Sequence, residues 1–258
     1  MSDKKEKQFS RRDFLKTTGA ATGGIIGGSL IGGFIGSGWA SNDNEIVGSS
    51  EDTSGGDNAS SNDNFAEARM FFSRQEDFDV LVAATETIFP EDDNGPGAIA
   101  LGVPFFIDRQ LAGNWGSNAR DYMQGPFAEG EDTQGYQSPL TRGEIFLQGI
   151  RRIIDESVER FDHAFVELGE DARVEIIAAF EAGEIEMQGV SSSRFFQLLK
   201  QATLEGAYCD PLYGGNKNMD GWKMKGYPGS VMSYYNVIDQ EEFEEMDQVA
   251  LKDHMNSH

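Results

Sequence analysis

The chain has 258 residues, 38% of them hydrophobic, and a formal charge of −23, which suits one domain with a real core plus additional segments. The first 40 residues hold six of the 21 basic and three of the 44 acidic groups, so the remainder carries 15 basic against 41 acidic, a charge of −26. A surface of that sign repels nucleic acid and anionic lipid headgroups and excludes both as direct partners; it serves solubility, or it answers a basic partner surface.

The first element is a leader. Ser10-Arg11-Arg12-Asp13-Phe14-Leu15-Lys16 matches the twin-arginine export pattern, Ser/Thr-Arg-Arg-x-Phe-Leu-Lys, at every fixed position. A basic stretch precedes it, a weakly hydrophobic glycine-rich run follows over residues 17–39, and Gly38-Trp39-Ala40 sets small residues at the −3 and −1 positions of a peptidase site. Residues 1–40 therefore read as a signal for the route that carries folded proteins across the inner membrane. The expected partner there is the twin-arginine translocase, and the expected location is the periplasm, at the outer face of that membrane. Cleavage after Ala40 is expected. Retention as an anchor is the alternative, because the run approaches the ~20 residues of a spanning helix and its glycines offer small-xxx-small spacings.

Residues 41–64 are almost wholly Ser, Asn, Asp, Gly and Glu. Nothing there offsets the entropy of ordering, so the segment reads as a flexible linker with a typical span of about 25–30 Å. A helical domain is expected over residues 65–238, followed by an acidic tail over 239–258.

Within the domain, Phe78, Leu81, Val82, Thr85, Ile88 and Phe89 recur at helical spacing, with Ser73 as the expected N-cap and Pro90 as the stop. Pro90-Glu91-Asp92-Asp93-Asn94-Gly95-Pro96-Gly97 is a loop by every breaker rule. A short helix is predicted around residues 104–111, where Pro104 suits the first turn. Residues 113–140 read as an ordered, irregular connection. The longest helix is predicted from about Thr141 to Leu168, opened by a Thr141–Glu144 capping box. Its apolar side takes in Ile145, Phe146, Gly149, Ile153, Val158, Phe161, Phe165 and Leu168. A further short helix spans 171–180, and Ser191–Ser193 cap another that runs towards Tyr208. No stretch alternates with period two, so the fold class is mainly α: a single helical domain with long irregular loops, preceded by the signal and the linker.

One cysteine, Cys209, allows no disulfide within the chain, and three histidines (His163, His254, His258) leave too few ligands for a classical zinc site. Burial of the thiol is expected, with an intermolecular bond as the alternative. His163 is read as a surface or neighbour-bonded residue.

Residues 208–229 read YCDPLYGGNKNMDGWKMKGYPG, a long loop of turn formers and aromatics with little helical or strand character. Such loops lie on the surface and carry binding, and tyrosine and tryptophan beside glycine suit an interface. The alternative is a self-packed Ω-loop that closes over the helices. Both can hold. A phosphate-binding reading of Gly214-Gly215-Asn216 fails, since no strand precedes it and no Lys-Ser/Thr follows. Nothing in the chain assembles a nucleophile, base and orienter, so no catalytic, cofactor-binding or metal residue is assigned.

Three stretches carry a family resemblance. They are the leader; Glu86-Thr87-Ile88-Phe89-Pro90-Glu91-Asp92-Asp93 with Gly95-Pro96-Gly97-Ala98 and Gly102-Val103-Pro104-Phe105-Phe106-Ile107-Asp108; and Asp210-Pro211-Leu212-Tyr213-Gly214-Gly215-Asn216 continuing through Gly221-Trp222 to Gly226-Tyr227-Pro228-Gly229. The chain resembles the small (gamma) subunits of gluconate 2-dehydrogenase and related sugar dehydrogenases. The resemblance implies a non-catalytic subunit that binds, stabilises and escorts a flavoprotein of the glucose-methanol-choline oxidoreductase type, which lacks an export signal of its own. FAD is then expected on the partner and not on this chain, with a multihaem cytochrome c as a possible third subunit. The expected contact residues are Asp210, Pro211, Tyr213, Gly214, Gly215, Asn216, Gly221, Trp222, Tyr227, Pro228 and Gly229, with Tyr213, Trp222 and Tyr227 as anchors and residues 90–106 alongside. The rival readings are a free-standing exported oxidoreductase acting on polyols and a structural surface protein.

Overall fold

A computed structural model describes residues 67–128, 137–235, 237–242 and 244–255. The leader, with Arg11, Arg12, Phe14 and Leu15, and the linker lie outside the described residues. Among those described the fold is helical without a strand. In chain order the helices are α1 (Gln75–Ile88), α2 (Val103–Ala112), α3 (Arg142–Phe161), α4 (Glu170–Glu181), α5 (Ser192–Tyr208), α6 (Asp220–Lys225) and α7 (Leu251–Met255).

Helix α1 begins at Gln75 with Arg74 as N-cap and no side-chain cap bond, so the Ser73 cap is not used. Glu76 and Asp77 in the first turn complement the exposed amides instead. Its end is where proline requires it: Phe89 leaves helical geometry at φ −134°, ψ 71° because the residue before Pro90 is pushed out of the α region. Helix α2 starts from Gly102 at φ +74°, with Pro104 in its first turn. Asp108 on α2 is fully buried and accepts backbone N–H bonds from Phe72 (2.9 Å), Phe71 (3.1 Å) and Met70, tying the incoming chain to the core.

Helix α3 opens with the expected capping box, Thr141 and Glu144 each bonding the other's backbone N–H. It is shorter than its hydrophobic pattern suggests. Asp162 adopts the left-handed conformation at φ +55° and ends it, and a separate 3₁₀ turn, Phe165–Glu167, follows. Aspartate tolerates that conformation better than most residues. The break swings Phe165 and Leu168 back onto the core, and Val158 is left half exposed on the solvent side.

Helix α5, capped by the Ser191 hydroxyl on Arg194 N–H, packs against α1, α2, α3 and α4. Phe195 stands at the centre, edge-on to Phe146 (5.8 Å) and Phe180 (5.5 Å). Gly149 lets α3 approach that ring: a β-carbon there would overlap Phe195. No helix among the described residues is long and apolar enough to cross a membrane.

Candidate functional site

The segment after α5 is more structured than its composition suggests. Pro211–Tyr213 and Lys217–Met219 form 3₁₀ turns, and 220–225 form the short helix α6, closed by Gly226 at φ +59°. One amphipathic turn hides among turn formers, because only Trp222 and Met224 mark its inner face.

Asn216 is the centre of this loop. It is fully buried in the left-handed region, φ +46°, which asparagine tolerates. Its N–H donates to Gly206 O (2.9 Å) at the end of α5, its Nδ2 donates to Cys209 O (2.8 Å), and its Oδ1 accepts Gly221 N–H (2.8 Å) at the start of α6. One amide side chain thus joins the helix that ends to the helix that begins. The neighbouring glycines allow the backbones to meet. A β-carbon at 215 would overlap Gly206 O, and one at 221 would overlap Ala207 O. These glycines face the chain's own main chain, so the Gly-Gly-Asn turn is not an open cradle for a ligand.

Asp210 works in two directions. Its Oδ1 accepts Leu212 N–H (2.9 Å), capping the first 3₁₀ turn that Pro211 opens, while Oδ2 accepts Leu251 N–H (2.8 Å) at the start of α7. Gly229 pairs with Val249, Ser230 N–H donates to Val249 O (2.7 Å), and His254 Nε2 lies 2.6 Å from Ser230 O. Pro228 accepts Val249 N–H (3.0 Å). Residues 249–254, part of the expected acidic tail, therefore return to dock on the loop.

Trp222 is 5% exposed; its Nε1 donates to Tyr208 O (2.8 Å) and its ring meets Tyr227 edge-on at 5.4 Å. The indole is thus committed within the fold, unlike the exposed anchor the sequence suggests. Leu212, Tyr213 and Tyr227 are the loop's outward large apolar side chains, each about half exposed (49%, 52% and 50%). The Cys209 thiol lies against Gly206 O (3.5 Å), and burial pushes it up to about 11.

The two distant stretches singled out in the sequence meet here. Lys217 N–H donates to Leu101 O (3.1 Å), Gly102 faces Gly214 O, and Gly95 lies against Met224. Glu86 shapes the 90–106 loop from within, its carboxylate accepting Glu91 N–H (3.2 Å) and Ile99 N–H (2.8 Å). Ile99, 53% exposed, borders a recess of about 200 Å³ shared with Gly214, Lys217 and Lys252. A wider open cleft of about 1060 Å³ lies between α3 and the α4–α5 connection, with Arg151, Arg152 and Asp155 on its wall. Sequence patterning gave no signal for it. Among the described residues no cluster of three or more His, Cys, Asp or Glu could hold a metal ion, and His163 is exposed, with Nδ1 2.8 Å from Phe161 O.

The described residues thus form a helical body closed at one end by a glycine-aromatic loop bonded to its own main chain. The chain belongs to the gluconate 2-dehydrogenase subunit 3 family, whose model matches residues 75–229. That match runs from the first residue of α1 to the last residue of the loop. No curated protein and no solved structure matches it.

Proposed function

We propose that this chain is the non-catalytic small subunit of an exported FAD-dependent sugar or polyol dehydrogenase, and that it binds, stabilises and escorts the folded flavoprotein. The observation that carries the proposal is the coincidence, in one chain, of a family match over the helical domain and a complete twin-arginine motif. A flavoprotein must fold around its cofactor before export, so it needs a route for folded cargo. If it lacks a signal, it needs a companion that has one. The flavin belongs to the partner, and a cytochrome c is the expected electron acceptor where a third subunit joins.

Leu212, Tyr213 and Tyr227 on the loop, and Ile99 on the 90–106 stretch that meets it, supply outward apolar contacts. Asp210, Pro211, Gly214, Gly215, Asn216, Gly221, Trp222, Pro228 and Gly229 hold that face in shape. Their part in partner binding is indirect.

The test is a chain carrying Arg11→Lys and Arg12→Lys, co-expressed with the flavin-bearing subunit. Both proteins should stay in the cytoplasm, read by flavin content and dye-linked activity in each fraction. Normal export of the flavoprotein would end the escort reading.

A further inference from the structure

The family match ends at Gly229, yet the chain continues and returns. Gly229 pairs with Val249, Leu251 N–H reaches Asp210, and His254 reaches Ser230 O, so the excursion over residues 230–248 leaves and re-enters the domain at one point. The excursion shows two features in sequence order. Met232, Tyr234, Tyr235 and Ile238 expose 68%, 51%, 83% and 71% of their surface. Asp239, Glu241, Glu242, Glu244, Glu245 and Asp247 follow, all exposed. Large apolar side chains concentrated on one exposed segment mark an interaction site.

We infer that this clamped excursion is a docking epitope that inserts its apolar residues into a recess on the flavin-bearing subunit, and that the recess is rimmed by basic side chains. The inference rests on the subunit reading above and adds the contact and the partner's chemistry. Charge decides the occupant. A second copy would bring the same acidic run on a chain of charge −23, and anionic lipid would repel it likewise. A basic-rimmed recess satisfies both halves of the segment: the apolar residues supply buried contact, and the acidic run supplies steering and register. The clamp at the base lowers the ordering cost of binding, because the ends of the excursion are already fixed.

The test measures binding of the full mature chain to the purified flavin-bearing subunit across a range of salt concentrations. Tyr235→Ser with Ile238→Ser should weaken binding by about tenfold or more with an unchanged melting temperature, since both side chains lie outside the core. Glu241, Glu242, Glu244 and Glu245 changed together to Gln should flatten the salt dependence shown by the parent. Parent-like affinity of the Tyr235/Ile238 variant would overturn the epitope, and the subunit reading would survive if the parent still binds. Failure of the parent to bind any flavin-bearing subunit would overturn both. Self-association, or binding to phosphatidylcholine vesicles, as the only property lost by the variant would also overturn the epitope.

Discussion

Replacing Asn216 by alanine tests the construction of the loop most directly. The side chain is fully buried and makes two hydrogen bonds, to Cys209 O and from Gly221 N–H. Alanine keeps neither, and each buried group left unpaired costs about 1–3 kcal/mol. The position also lies at φ +46°, where alanine adds roughly 1 kcal/mol that asparagine partly avoids. The sum is a loss of about 3–7 kcal/mol, a large fraction of the roughly 5–15 kcal/mol that stabilises an ordinary domain. For a domain of this size the melting temperature should fall by about 10 °C or more. Asn216→Gly separates the contributions: it loses the same bonds without the backbone strain and should be about 1 kcal/mol less damaging than alanine. Denaturant titration gives both energies, and hydrogen exchange should show loss of protection at the Gly221 amide. An alanine variant within about 0.5 kcal/mol of the parent would refute Asn216 as the link between α5 and α6.

Two further outcomes follow from the packing. Gly149→Ala should destabilise by about 1–3 kcal/mol through overlap with the Phe195 ring, although alanine is the better helix former by about 1 kcal/mol; a stabilised variant in a thermal melt would show that α3 and α5 are not held so close. Burial raises the Cys209 thiol to about 11, so the folded state holds its proton after the unfolded chain has lost it. The thiol's contribution to stability is therefore complete below the ordinary value of 9.0 and declines as pH rises from there through about 11. Alkylation of the native chain should be slow at pH 8 and accelerate only near pH 11, whereas fast labelling at pH 8 would contradict the burial.

The elements legible in the sequence are those whose signal is local. The Thr141–Glu144 box and the Ser191 cap act within four residues, and Pro90 stops α1 by its own ring. What sequence patterning could not resolve depends on partners far along the chain. The apolar period runs unbroken from α3 through Phe165 and Leu168, and only the left-handed turn at Asp162 divides it. Trp222 has the residue type of an interface anchor, yet its indole N–H is taken by Tyr208 O, fourteen positions earlier. The composition of 239–258 reads as an acidic tail, and its return rests on partners some 20 to 41 positions earlier, Gly229, Ser230 and an Asp210 oxygen. The meeting of the 90–106 and 210–229 stretches was expected as proximity. The Leu101–Lys217 bond gives it a mechanism.

The closeness of positions 229 and 249 has an evolutionary consequence. When the ends of a segment already touch, lengthening it is cheap: doubling its length adds only about 0.6 kcal/mol of closure entropy. Insertions, deletions and wholesale rewriting of 230–248 can therefore accumulate while the helical scaffold keeps its stability. A lineage could retune this part of the chain for a different companion without renegotiating the rest of the molecule.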